Sequence, residues 1–137
     1  MAGYSGTPLI KKLGIKENFR IALIGKPDNF MEELGKLPDN VTVFSKPKAP
    51  LDFALLFVLS RPILENSFRD LASKIVPAGM IWVAWPKKAS GVPTDLNENI
   101  VRKIGLDAGL VDVKICAVND IWSGLKFMIR VKDRKKT

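Results

Sequence analysis

The chain has no histidine, one cysteine and one tyrosine among its 137 residues. Without histidine it lacks the commonest general base near neutral pH and the commonest metal ligand. Ser-His-Asp and Cys-His catalysis within one chain are thereby excluded. The lone Cys116 rules out an internal disulfide and any zinc site built on several cysteines. It also agrees with a reducing compartment, so the expected location is the cytoplasm. Long apolar runs are missing too. The longest uncharged stretch, residues 75–86, is too short to span a bilayer and holds Pro77 and Gly79. No secretory leader is read, because Lys11, Lys12 and Lys16 interrupt the first 20 residues. Neither a membrane partner nor a bound metal is expected.

What is present suffices for a packed globule. Apolar residues make up 47% and charged residues 26%, a balance that favours burial over disorder. The length fits one domain over residues 1–137, which on folding hides roughly two-thirds of the surface of the unfolded chain. Lysine and arginine number 22 against 14 acids, a net charge of +8. The surplus lies late: residues 1–68 carry nine basic and seven acidic groups, residues 69–137 thirteen and seven.

Thr7-Pro8 signals a helix start, with Thr7 as N-cap, and Gly14 closes a short helix bearing Leu9, Ile10 and Leu13. These residues form an N-terminal helical segment, 1–18. Residues 19–24 read as a strand, and Asp28 is expected to cap a short helix ending near Leu34. A second strand spans 41–44. The apolar run 53–59 suggests a strand buried on both faces. Pro62 opens a helix whose Ile63, Leu64, Phe68, Leu71, Ala72 and Ile75 recur at helical spacing. A central strand follows at 80–85, then a loop, then a helix from Thr94 with Leu96, Ile100, Val101 and Ile104 on one face. Strands at 110–118 and 125–131 flank an expected turn at Ser123-Gly124, and a basic tail occupies 132–137.

Strands alternating with helices give a three-layer, Rossmann-like α/β domain. Its mostly parallel sheet of about six strands ends in an antiparallel β-hairpin. The weakest joint is residues 45–52, short for a parallel connection; fully extended it reaches roughly 26 Å, enough to pass the sheet without a helix. This order resembles the class I methyltransferase fold with a helix and third strand missing after the second strand. A closer resemblance is to an uncharacterised family of small bacterial proteins. It rests on Gly3 to Leu9, Lys11 to Lys16, Ala22-Leu23-Ile24-Gly25, Trp85-Pro86-Lys87-Lys88 and Trp122-Ser123-Gly124-Leu125-Lys126-Phe127. The resemblance implies a degenerate methyltransferase-like domain with no assigned reaction.

The first β–α turn is where a nucleotide fold keeps its glycines. Here it reads Ile24-Gly25-Lys26-Pro27, making Gly25 and Lys26 the cofactor-binding candidates. One glycine stands where several are usual, Pro27 removes a donor, and Ser45-Lys46 replaces the ribose-holding acid. Gly25 as a plain turn residue is the better supported reading. Ligands of open α/β sheets bind beyond the carboxyl ends of the strands. Those ends carry Lys26, Lys46, Lys48, Arg61, Lys87 and Lys88, with Asp28 the one acid nearby. They are either an anion site or solvated loop cations. Trp85 and Trp122 stack a base or fill the core; Asn119 and Asp120 orient a ligand or form a turn. Cys116 reads as an inert buried thiol. The basic tail grips phosphates or simply solvates the terminus.

No catalytic residue or metal ligand is assigned. The favoured reading is a binding or regulatory module whose cationic edge recognises an anionic small molecule or an acidic protein. Its rivals are a small S-adenosylmethionine-dependent methyltransferase and a nucleic-acid-binding protein. The first needs little acid–base machinery, because the sulfonium supplies the leaving group. The second would rest on net positive charge.

Overall fold

The structure, a computed structural model, describes residues 7–134. Residues 1–6 of the opening motif, and Lys135 and Lys136 of the basic tail, lie outside them. Six strands form one sheet: β1 (Arg20–Ile24), β2 (Thr42–Phe44), β3 (Leu51–Phe57), β4 (Ile75–Pro86), β5 (Leu110–Ala117) and β6 (Trp122–Ile129). Their spatial order is β2-β1-β3-β4-β6-β5. The first four run parallel, and β6 is antiparallel to both β4 and β5. Helices α3 (Arg61–Ala72) and α4 (Glu98–Asp107) cover one face; α1 (Leu9–Leu13) and α2 (Phe30–Leu34) cover the other. The expected three-layer arrangement is the observed one.

The apolar run of β3 serves both layers. Ala54, Leu56 and Val58 join the core under α3 and α4, while Phe53, Leu55 and Phe57 join the core under α1 and α2. That two-sided burial is why the strand lacks polar alternation. Helix α3 forms where Ser60 caps the Ile63 N–H, Pro62 occupies the first turn, and Leu64, Phe68 and Leu71 supply the buried stripe.

The joint between β2 and β3 crosses β1 without a helix, and Arg20 makes it possible. The Arg20 backbone N–H donates to Asp52 Oδ2 at 2.8 Å, and its Nε donates to the Pro50 carbonyl at 2.6 Å. Nη2 reaches the carbonyls of Lys48 and Ala49, both at 3.5 Å. The guanidinium also lies 4.6 Å from the centre of the Phe44 ring. One side chain at the start of β1 thus satisfies carbonyls that a helix would otherwise have paired internally.

Several local expectations are corrected. Asn29, not Asp28, precedes α2, and no side chain caps it. Thr94 does not start α4: its Oγ1 donates to the Leu59 carbonyl at 2.5 Å and accepts from the Leu96 N–H. That bond ties the loop after β4 to the loop after β3. The helix begins at Glu98, capped by Asn97 through the Ile100 N–H at 2.9 Å. Ser123-Gly124 is not the hairpin turn but lies inside β6, opposite Trp85 and Ala84. The chain reverses at residues 119–121, where Asn119 Oδ1 accepts from the N–H groups of Ile121 and Trp122. Gly124 fits a tight place: a Cβ there would lie 3.0 Å from Val118 and 3.1 Å from the Trp82 ring, so those side chains would have to give way. The start of the basic tail is built into the fold: Val131–Asp133 make a single 3-10 turn, and Arg134 Nε donates to the Ile129 carbonyl.

Candidate functional site

Order β2-β1-β3 means that the chain leaves β1 toward one side and β3 toward the other, the crossing point where open sheets bind ligands. Gly25 follows β1 there with φ +70°. A Cβ at Gly25 would sit 2.9 Å from the Phe57 carbonyl oxygen, so glycine is demanded by the neighbouring strand. Next to it, the Phe30 ring meets Phe57 edge-on at 5.0 Å, and Trp122 meets Phe57 at 5.1 Å. Phe30 is fully buried and Trp122 half-buried. Pro27 offers no N–H, and its carbonyl accepts from Phe30.

Lys26, Lys46, Arg61, Lys87 and Lys88 each follow the carboxyl end of a parallel strand. Asp120 joins the same end, because β6 runs back from it and Trp122 pairs with Pro86. All are exposed except the half-buried Lys87, whose backbone N–H donates to the Ile121 carbonyl at 2.7 Å. Arg61 uses its backbone N–H on Asp95 Oδ1 at 2.8 Å, and its guanidinium stands 3.8 Å from Glu65. Exposed Leu59, Ile63 and Ile121 are interspersed with these charges in the chain.

Three parts of the expected edge are corrected. Lys48 does not belong to it: the returning loop carries its carbonyl to Arg20, and its Nζ lies 5.6 Å from the Phe44 ring centre. Trp85 is no stacking platform, because it is 5% exposed within the α3/α4 core. Acids are more numerous than Asp28 alone. Besides Asp95, Glu33 lies at this end and accepts from Asn119 Nδ2 at 2.9 Å.

A second cationic group was not singled out from the sequence. The β5–β6 register sets Lys114 opposite Lys126 on the α1/α2 face, with Cys116 opposite Gly124. Lys12 of α1 reaches over this ladder, its Nζ donating to the Ala117 carbonyl at 3.0 Å. Partial burial, then Lys114 and Lys16, push the Lys126 ammonium below its ordinary value of 10.5. Cys116 is half-buried rather than sealed in. Burial pushes its thiol above the ordinary 9.0, with Lys12 and Lys114 opposing. A correct placement of the hairpin turn would have revealed the Lys114–Lys126 pairing.

Among the described residues no group of His, Cys, Asp or Glu is arranged to hold a metal ion. Nor is any helix of the described residues long and apolar enough to cross a membrane. Arg61, Glu65, Arg69, Ile104, Asp107 and Ala108 line a depression of about 70 Å³ between α3 and α4. Small-molecule pockets hold roughly 300–1,000 Å³.

No family model and no curated protein matches the chain. Solved structures do. A SAM-dependent methyltransferase from Aquifex aeolicus superposes with a TM-score of 0.63 at 17% identity, over 93% of this chain and 90% of that one. The magnesium protoporphyrin IX methyltransferase from Synechocystis, with bound SAM, gives 0.58 at 9% identity over 88% and 74%. A ribosomal protein L11 methylase from Lactobacillus delbrueckii gives 0.56 at 11% identity over 88% and 74%. At such identities the likeness concerns architecture, and this chain has the methyltransferase-like Rossmann fold.

Proposed function

We propose that the protein is a non-catalytic binding or regulatory module of methyltransferase-like fold, whose carboxyl-end edge recognises an anionic ligand or acidic partner. We read the motifs quoted above as a resemblance to the uncharacterised family of small bacterial proteins, and the lone Cys116 as consistent with a cytoplasmic location. The observation that carries the reading is the β1–α2 turn. Its one glycine is occupied by the approach of Phe57, and Pro27 supplies no N–H. The position that would hold a ribose carries Ser45-Lys46 instead of an acid. These residues do not suit S-adenosylmethionine, the cofactor that the fold implies. Lys26, Lys46, Arg61, Lys87 and Lys88 stand at the same end, with exposed Leu59, Ile63 and Ile121 beside them in the chain. An acidic protein segment with apolar side chains has the complementary chemistry.

Calorimetry with S-adenosylmethionine and S-adenosylhomocysteine should give no binding heat; micromolar binding would restore the methyltransferase reading. A poly-glutamate peptide should bind the wild type at low salt. The Lys87→Glu, Lys88→Glu double variant should lose that binding with an unchanged melting temperature. Equal binding by the double variant would remove the edge from consideration.

A further inference from the structure

Four lysines from separate segments meet on the α1/α2 face, away from the edge discussed above. Lys12 comes from α1, Lys16 from the segment after it, Lys114 from β5 and Lys126 from β6. Backbone carbonyls hold Lys12 and Lys114, and the charge of Lys16 bears on the Lys126 ammonium. Trp82 Nε1 donates to the Leu13 carbonyl at 2.8 Å in a buried bond, pinning the end of α1 to the sheet. Lys114 Nζ donates to the Lys12 carbonyl at 3.3 Å, and Lys12 Nζ donates to the Ala117 carbonyl across the same gap. Lys126 Nζ lies 3.9 Å from where a Gly14 Cβ would stand.

This arrangement is costly in isolation. Like charges directly opposite on a ladder repel, and a half-buried ammonium loses hydration. Among the described residues every ion pair involves α3 or α4: Arg61 with Glu65, Lys74 with Asp70, Arg102 with Glu98 and Asp112, and Lys103 with Asp107. Among those residues no carboxylate pairs with Lys12, Lys16, Lys114 or Lys126, and the Lys126 ammonium has no acceptor.

We propose that Lys12, Lys16, Lys114 and Lys126 form a binding site for the short phosphate chain of a small molecule. Several positive charges at close quarters call for a multivalent anion, which a single carboxylate is not. Lysines act as point charges with rotatable donors and match phosphoryl oxygens without the planar fork that carboxylate pairing favours. Lys12 and Lys114 each spend one N–H on a backbone carbonyl, which orients the ammonium and leaves two donors for the anion. The chain is either inorganic polyphosphate or the tail of a nucleoside polyphosphate. The site does not depend on the carboxyl-end edge.

The test is calorimetric titration of the full chain with inorganic tripolyphosphate, then with a nucleoside triphosphate, at about 50 mM salt to limit screening. One saturable site is expected. Lys126→Met and Lys114→Gln should each weaken it about tenfold or more, while Lys87→Glu with Lys88→Glu leaves it unchanged. Circular dichroism checks folding; should Lys126→Met fail to fold, the exposed Lys114→Gln carries the comparison. Tripolyphosphate should also slow iodoacetamide alkylation of Cys116 in the wild type and not in Lys114→Gln. Equal affinity for the two probes assigns recognition to the phosphate chain, and tighter nucleotide binding adds a contact to the base; either supports the site. Absence of saturable heat overturns the proposal, as does undiminished affinity in both single variants. An equal loss in the Lys87, Lys88 double variant would also overturn it, since the net charge alone would then attract the anion.

Discussion

On the α3/α4 face Glu98 of α4 and Asp112 of β5 clasp Arg102, and Asp107 faces Lys103, whereas on the α1/α2 face Lys12, Lys16, Lys114 and Lys126 have no counter-ion among the described residues. The helices differ in the same sense. α3 and α4 run 12 and 10 residues with side-chain caps, while α1 and α2 are five residues each, with no side-chain bond from their N-cap residues Pro8 and Asn29. Helices that short do not persist alone; they stand because Leu13, Phe30 and Leu34 are buried in the sheet's second core. The first face is arranged for stability. The second keeps repelling charges on a thin support, which natural sequences tend to tolerate where an activity needs it.

Breaking the well-packed face should have the largest effect. A Cβ at Gly105 would lie 2.0 Å from the ring of Phe127, which is fully buried and packed edge-on against Phe68 at 5.1 Å. Gly105→Val should therefore cost about 3 kcal/mol in urea unfolding. Even Gly105→Ala should destabilise, although alanine favours a helix by about 1 kcal/mol. On the other face the largest single loss should come from Trp82→Phe. It leaves the Leu13 carbonyl without its buried donor, at about 2 kcal/mol, and should speed amide exchange across α1 far more than across α4. Asn119→Ala comes next at about 1 kcal/mol, because it removes the acceptor for two turn N–H groups and the link to Glu33.

The smallest effect carries the opposite sign. Lys126→Met should stabilise the protein by about 0.5 kcal/mol at neutral pH, because it removes one member of a like-charged cross-strand pair. Its pH dependence sharpens the contrast between the faces. Lys126 faces Lys114 and Lys16, with Lys12 and Cys116 adjoining, and releases its proton more readily in the folded state. Between that lowered value and the ordinary 10.5 the unfolded chain holds more protons, so stability rises with pH. Cys116 works the other way: stability present below 9.0 is lost as pH climbs through its raised folded value. Thermal melts across this range should show the rise weakened in Lys126→Met while the Cys116 loss persists.

Much of the scaffold was legible because periodicity and end signals agree locally. Pro62 opens α3, and the apolar run of β3 announces burial on both faces. The failures come from contacts distant in sequence. Thr94 looks like a cap, yet its hydroxyl is taken by Leu59, 35 positions away. Ser123-Gly124 looks like a turn, yet its glycine lies inside β6, packed closely under Val118 and the ring of Trp82. That misplaced turn hid the Lys114–Lys126 register and the second cationic group with it. Of the carboxyl-end candidates, Lys26, Lys46, Arg61, Lys87, Lys88 and Asp120 stand at one end of the sheet, because strand polarity follows from the alternation of elements. Trp85 is left open between stacking and core by the sequence, because a residue at a strand end points to solvent or core according to a register that the sequence does not display; the structure buries it.

The contrast between the two faces is tested most directly by NMR of lysine side chains in the full protein during a tripolyphosphate titration. Lysine Cε and Hε signals of Lys12, Lys114 and Lys126 should move together and saturate, with Lys74 and Lys103 nearly still. Uniform, unsaturating shifts over all lysines would contradict the account and reduce the unpaired face to ordinary solvated charge.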